Sequence, residues 1–328
     1  MKQQMLIELI IVAVVTFLLS VVIERYMIPV LKSKKVGQKI LEIGPRWHMS
    51  KSGTPTMGGI CFITAMVLVS VVALILNGDE AVPFALAMGL GLCNALVGFV
   101  DDYTKLIKKQ NEGLLAWQKF ALQTVAAAVY LLAMTLWGGM TTVLTFPFTD
   151  FSIDLGIVYY VVAMLLITGV VNSVNLTDGI DGLASSVTLV VGGFFAACAF
   201  RLELRALSLI GALLIGGMLG FLVYNFHPAR VFMGDTGSLF LGGLLVGAAF
   251  ALGEPLIILI CGLVYIIETA SVMLQVSVFK LSGRKKRLFR MAPIHHHFEQ
   301  CGWGEIKIVA VFSIVTLLLC VAAWFGIA

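Results

Sequence analysis

The residues best suited to do chemistry in this chain gather in four short strings. Asp101 and Asp102 stand in Val-Gly-Phe-Val-Asp-Asp-Tyr-Thr-Lys, and Asn172, Asn175, Asp178 and Asp181 in Asn-Ser-Val-Asn-Leu-Thr-Asp-Gly-Ile-Asp-Gly-Leu. Asp235 stands in Phe-Met-Gly-Asp-Thr-Gly-Ser-Leu, and His295, His296 and His297 in Ala-Pro-Ile-His-His-His-Phe-Glu. Aspartates gathered at the ends of apolar segments repel one another unless a counter-ion joins them. A divalent cation would serve. Oxygen-rich sites beside phosphate are where magnesium binds, through one or two carboxylates and several waters. Glycines interleaved with the acids, at 179, 182, 234 and 237, let backbone approach a ligand closely. Asp178 and Asp181 share a face if a helix begins there. Contiguous histidines cannot all point one way. With no Cys pattern and no His-Glu-x-x-His motif, a phosphate or base contact suits them better than zinc.

Each string also has a plainer reading. Asp101 and Asp102 fit a helix-end pair facing water. Asp178 fits an N-cap for the helix that follows, and Asp235 or Thr236 fits another. Glu268, Ser271 and Gln275 form one stripe at helical spacing, which suits interhelical hydrogen bonds. An acid inside a span is nevertheless a functional suspect by default. What lifts the strings above these readings is where the surrounding elements put them.

Hydrophobic residues fill 60% of the 328 positions and charged residues 12%, with a mean hydropathy of +1.02. Soluble domains carry about a quarter charged residues, so a soluble globular enzyme, a disordered chain and a disulfide scaffold are excluded. The expected fold class is an all-α polytopic membrane protein, one integral membrane unit over residues 1–328. Apolar spans fall near Met5–Val30, Met57–Leu76, Val82–Val100, Phe120–Trp137 and Leu155–Val171. They continue near Leu183–Phe200, Ala206–Tyr224, Leu239–Leu252, Leu256–Phe279 and Ile306–Ile327. That predicts about ten transmembrane helices. The first reads as uncleaved, because Glu8 interrupts it and no small-x-small site follows. The cysteines show no metal or redox spacing, and all but Cys301 lie in apolar runs.

Basic residues concentrate in the odd-numbered loops. Lys32, Lys34, Lys35, Lys39, Arg46 and Lys51 fall in the first, and Lys105, Lys108, Lys109 and Lys119 in the third. Arg230 falls in the seventh, and Lys280, Arg284, Lys285, Lys286, Arg287 and Arg290 in the ninth. The positive-inside rule makes these loops cytoplasmic and turns both termini outward. All four chemical strings also fall in odd-numbered loops. Parity alone therefore puts them on one membrane face, and the cytoplasmic loops are expected to form the active site. The fourth loop, Gly138 to Asp154, has no Lys or Arg and sets apolar residues among turn formers. That predicts a small extracellular β-hairpin after the fourth helix.

The strings FVDDYTK, NSVNLTDGIDGL, FMGDTGSL and APIHHHFE occur in order across essentially the whole chain. They resemble the signature motifs of the polyprenyl-phosphate N-acetylhexosamine-1-phosphate transferase superfamily. PTMGG (Pro55–Gly59) and the triple histidine followed by Phe-Glu are similar, more narrowly, to the phospho-N-acetylmuramoyl-pentapeptide transferase family. Ile180 stands where that pattern suggests Leu. The resemblance implies transfer of phospho-MurNAc-pentapeptide from UDP-MurNAc-pentapeptide to undecaprenyl phosphate, giving lipid I and UMP, at the bacterial cytoplasmic membrane. It also implies a magnesium cofactor, contact with membrane lipid and a homodimer, and no nucleic-acid partner is expected.

The same resemblance implies roles. Asp235 is the expected magnesium ligand. Asp101, with Asp102 beside it, is the expected base or orienter of the attacking lipid phosphate. His295, His296 and His297 are expected to contact diphosphate or uridine, with His295 counted among the catalytic residues. Asn172, Asn175, Asp178 and Asp181 are expected to bind nucleotide or the metal-bound diphosphate, and Phe232 to stack on uracil. Lys105 and Lys119 are expected to neutralise phosphate, and Gln275 to line the nucleotide pocket. Rival readings are weaker. A secondary transporter places polar residues near the midplane, whereas here the acids cluster at helix ends on one side and Glu268 is the only strong acid inside a span. An intramembrane aspartyl protease wants Gly-x-Gly-Asp, and Phe232 occupies the first glycine position. A sister transferase using UDP-GlcNAc shares the acids, but PTMGG and APIHHHFE favour the muramoyl donor.

Overall fold

The computed structural model describes residues 2–34, 51, 53–77, 81–108 and 113–327. Lys35, Lys39, Arg46 and Lys109 of the basic loops lie outside the described residues, as does the side chain of Lys108. In hydrocarbon every backbone N–H and C=O must be satisfied within its own segment, so the apolar runs become helices. They are α1 (Lys2–Ser33), α2 (Gly59–Asn77), α3 (Val82–Lys108), α4 (Ala116–Trp137), α5 (Ile157–Thr177) and α6 (Leu183–Arg201). Then come α7 (Arg205–Asn225), α8 (Gly234–Ala251), α9 (Ile258–Cys261), α10 (Leu263–Leu281), α11 (Ile294–Gln300) and α12 (Glu305–Trp324). Among the described residues nine of these are long and apolar enough to cross a bilayer, and the apolar Gly59–Ile75 part of α2 is shorter. A polytopic helical membrane protein is the result.

The expected hairpin is present and small. Strands β1 (Val143–Thr145) and β2 (Ser152–Asp154) pair antiparallel with Leu144 opposite Ile153. The ninth span is not one helix. Pro255 opens a 3-10 turn over Pro255–Ile257, the short α9 follows, and Gly262 breaks the ladder before α10. Gly262 holds φ −98° and ψ 13°, outside helical values, and glycine favours such a break because it is a poor helix former. The histidine string, read from sequence as loop, forms α11.

The bundle is built around α8. In an 18-residue window 83% of α8 is buried, against 11% of α1. Small residues make this possible, because between membrane helices close backbone approach supplies the packing. A Cβ on Gly242 would stand 2.7 Å from Val171 Cα in α5. On Gly59 it would collide with Gly237, seating α2 on α8. The peripheral α1 uses the same device against α7, where a Cβ on Gly220 would stand 2.6 Å from Ser20 Cβ.

Candidate active site

The helices α3 and α8 meet backbone to backbone beside Asp235. A Cβ on Gly98 would collide with the Asp235 carbonyl and crowd the Thr236 amide. One helical turn on, Asp102 reaches the start of α8. Its Oδ2 accepts the Thr236 N–H at 3.0 Å and the Thr236 hydroxyl at 2.8 Å, and its Oδ1 accepts the Asp235 N–H at 3.3 Å. Asp101 turns the other way. Its Oδ1 accepts the Leu114 N–H at 2.8 Å, and its Oδ2 lies 2.6 Å from Lys105 Nζ. The two carboxylates are only 3% and 1% exposed by residue, so they are not a helix-end pair facing water.

Asp235 collects partners from three further directions. Its Oδ2 lies 3.0 Å from Lys105 Nζ on α3 and 2.7 Å from Lys119 Nζ at the start of α4. Its Oδ1 accepts Asn175 Nδ2–H from the end of α5 at 2.9 Å, and Asn175 also donates to Ser238 at 2.8 Å. Neither Asp235 nor Thr236 caps α8. The cap position is Met233, which makes no side-chain bond. Oxygens of Asp101, Asp102 and Asp235 lie within 4.8 Å of one another. Carboxylate oxygens free of thiolate or imidazole suit magnesium rather than zinc, so the cluster fits the expected cation with one or two of its members as ligands.

A cavity of about 240 Å³ opens beside Asp235, lined in part by Lys51, Thr56, Asn175, Asp178, Asp181 and Phe232. Its wall is main chain laid on main chain. Phe232 N–H donates to Pro55 O at 2.9 Å, Gly58 N–H to Phe232 O at 2.8 Å, and Gly59 N–H to Met233 O at 3.0 Å. The PTMGG string thus braces the string that carries Asp235.

Asp178 and Asp181 do not share a helical face. Asp178 ends α5, and α6 begins only at Leu183 after Gly182, whose φ of 76° is left-handed. That conformation is open to glycine at little cost, and it makes the intervening residues a turn. Asp178 lines the cavity. Burial, then the carboxylates of Asp235, Asp102 and Asp181, push its carboxyl from 3.8 up to about 8. A carboxyl raised in the fold stabilises it fully below the unfolded value and loses that contribution as pH climbs through the folded one. In EDTA, melting temperature should therefore decline between pH about 4 and about 8. Asp178→Asn should flatten the decline, and a variant that keeps the full slope would remove Asp178 as its source.

Asp181 faces a separate cluster. Its Oδ1 lies 2.7 Å from Lys51 Nζ, and its Oδ2 lies 3.0 Å from His227 Nδ1 and accepts the Ala229 N–H at 3.0 Å. Glu305 Oε2 takes Lys51 Nζ at 2.6 Å and the Asp181 N–H at 2.9 Å. Lys51, His227, Glu305, Thr56 and Ser238 were not distinguishable as site residues by sequence reasoning. Lys51 counted only as a topology charge, and its nearness to PTMGG was the available signal. Lys51→Met leaves the Asp181 and Glu305 carboxylates buried with only His227 beside them, and breaking a buried ion pair in this way should cost about 3–5 kcal/mol of stability. Thermal unfolding in detergent checks this, and an unchanged melting point would mean the pair is well solvated.

The histidines diverge, as contiguity demands. His295 is fully buried, with Nδ1 3.0 Å from Glu268 Oε2 on α10. Its ring leaves no room for a Cβ on Gly179, so it packs against the loop that carries Asp178. His296 Nδ1 lies 2.6 Å from Glu299. His297 Nδ1 accepts the Arg290 N–H at 3.2 Å. Gln275 is engaged elsewhere than the cavity wall. Its amide accepts the Leu288 and Phe289 N–H groups at 2.9 Å and donates to Phe289 O at 3.0 Å, holding the loop before α11. Asn172 pairs with Gln123 of α4 at 2.7 Å, a bond between helices.

Known proteins resemble this chain along nearly its whole length. Residues 82–253 match the family model described as glycosyl transferase family 4. Residues 51–63, from Lys51 through PTMGG into α2, match the phospho-N-acetylmuramoyl-pentapeptide-transferase signature 1. The chain is 41% identical over 320 residues to the phospho-N-acetylmuramoyl-pentapeptide-transferase of Staphylococcus carnosus, covering 97% of this chain and 99% of the relative. It is 44% identical over 317 residues to the protein of that name from Clostridium perfringens, covering 97% and 96%. With that from Clostridium acetobutylicum it shares 45% over 316 residues, covering 95% and 97%.

Proposed function

The chain belongs to the phospho-N-acetylmuramoyl-pentapeptide transferase family, and on that premise we propose how its residues divide the work of the transfer. The reaction passes phospho-MurNAc-pentapeptide from UDP-MurNAc-pentapeptide to undecaprenyl phosphate. A lipid-phosphate oxygen bonds to the sugar-bearing phosphorus, the bond between the two donor phosphates breaks, and UMP leaves with lipid I as the other product. The observation that carries the proposal is the meeting of Asn175, Lys105 and Lys119, from three other helices, on the Asp235 carboxylate, with Asp235 and Asn175 themselves lining the cavity. Phosphoryl transfer is mostly positioning and charge neutralisation, and this arrangement supplies both.

Asp235 and Asp101 are the residues that would hold magnesium, which when bound neutralises charge on the diphosphate. Asn175 fixes the Asp235 carboxylate by its hydrogen bond. Lys119 and Lys105 lie within reach of the same carboxylate and would meet the negative charge that develops on departing UMP. Asp101 would orient the acceptor phosphate through Lys105, whose Nζ lies 2.6 Å from its Oδ2, rather than deprotonate it, since that phosphate is already largely ionised near neutral pH. Phe232 lines the cavity and would stack on the uracil ring. His295 acts through the Gly179 backbone, holding the Asp178 loop. The substrates' chemistry requires this end of the bundle to face the cytoplasm, with the acceptor's tail in the inner leaflet. Both termini then face outward, in keeping with the basic loops, and a homodimer in the plasma membrane completes the proposal.

The test is UMP release by purified protein in detergent with undecaprenyl phosphate and magnesium. UDP-MurNAc-pentapeptide and UDP-GlcNAc are offered in parallel. Release with the first donor only, stopped by EDTA and restored by magnesium, is expected. Release with UDP-GlcNAc alone would overturn the substrate, and release undiminished by EDTA would overturn the metal.

A further inference from the structure

We infer that Asp102 is a positioning residue for Asp235: it serves as the N-terminal cap that α8 lacks in its own sequence, and it stands outside the reacting set. This deepens the transferase reading and rests on it for the kinetic half of its test. A helix begins with N–H groups that have no partner inside it. The cap position and first residue of α8 do not help, because Met233 makes no cap bond and Gly234 has no side chain. Asp102 supplies the acceptors from another helix, 134 residues earlier in the chain. Its Oδ2 takes two donors from Thr236, and its Oδ1 takes the backbone N–H of Asp235 itself. A carboxylate here also complements the positive end of the helix.

The neighbouring groups point the same way. Lys105 Nζ approaches Asp101 at 2.6 Å and Asp235 at 3.0 Å but stays 3.9 Å from Asp102. Gly234 holds φ 70°, and a Cβ there would stand 2.6 Å from Asp102 Oδ2. Gly98 and Asp102 lie four residues apart on one face of α3, and both press on the Asp235–Thr236 backbone. Together they set where α8 starts, and so where the Asp235 carboxylate stands. Of the adjacent aspartates, Asp101 is left as the one turned toward the charged centre.

Asp102→Asn keeps an acceptor oxygen, Asp102→Ala keeps none, and Thr236→Val removes the hydroxyl donor. For each, kcat, both KM values and the pH–rate profile are measured, with melting temperature in detergent and EDTA. We expect kcat to fall about tenfold in Asp102→Asn and Thr236→Val and about a hundredfold in Asp102→Ala, with KM within about twofold. The double variant Asp102→Asn/Thr236→Val should lose less than the product of the single losses. The EDTA melts, in which catalysis plays no part, should show the same coupling. A thousandfold loss in Asp102→Asn beside a fully active Thr236→Val overturns the inference, as does a lost limb in the Asp102→Asn pH profile. Additive melts overturn it as well. Lower melting points with unchanged kcat would make the cap structural only, which also overturns it. A wild-type protein that releases no UMP overturns the transferase reading instead, and the EDTA melts then decide the cap.

Discussion

Replacing Asp235 with asparagine is expected to cut kcat by at least about a thousandfold, the scale of losing a charged group that the transition state requires. The change preserves shape and removes one negative charge. Lys105 and Lys119, now 3.0 and 2.7 Å from Asp235 Oδ2, would face an amide. Asn175 would lose the orienting value of its bond to Oδ1. The fold should survive, because α8 is held by its glycine contacts and by Asp102, neither of which needs the Asp235 carboxylate. UMP release and thermal unfolding, measured together in detergent, check both halves. Activity above about a tenth of wild type in a folded variant would remove Asp235 from the charged centre.

Gly98→Ala is expected to have the second largest effect, although it adds only one methyl. That methyl would collide with the carbonyl of Asp235 and stand 2.6 Å from the Thr236 amide nitrogen. Both neighbours are backbone, so no side-chain rotation relieves the contact and α3 and α8 must separate. Overpacking of this kind costs about 1–3 kcal/mol. Separation also pulls Asp102 from its Thr236 bonds and shifts Asp235 relative to Lys119, and a misplacement near 1 Å costs about a hundredfold in rate. A lower melting temperature with kcat down by about that factor is the expected result. Wild-type values for both would mean the helices do not approach this closely. Gly89, also on α3 and with open space around its Cβ position, is the internal control: Gly89→Ala should leave kcat unchanged and should not lower the melting temperature.

Much of the outcome was legible before any coordinates. The spans, the hairpin and the gathering of four motif strings at one end followed from apolar run lengths and from counting loops. The functional class followed from the order of the motifs. The misses have specific physical causes. Leu256–Phe279 read as one span because a single glycine hardly changes the hydropathy of a long run, yet Gly262 breaks the helix. Gln275 shared a stripe with Glu268, but its amide found the Leu288 and Phe289 backbone instead of the cavity. Lys51 was indistinguishable from its basic neighbours until Asp181 and Glu305 closed on it.

The sequence by itself determined the membrane class, the common face of the acids and the family, because apolar runs of this length can satisfy their backbone in hydrocarbon only as helices, loop parity needs no geometry, and the motif strings stand in order along the chain. Only the tertiary structure decided what each acid touches. Asp101 and Asp102 are adjacent and chemically identical, yet one turns to Lys105 and the other to the first turn of α8. That difference arises from how closely two helices distant in the chain can pack at Gly98, and no local pattern encodes it.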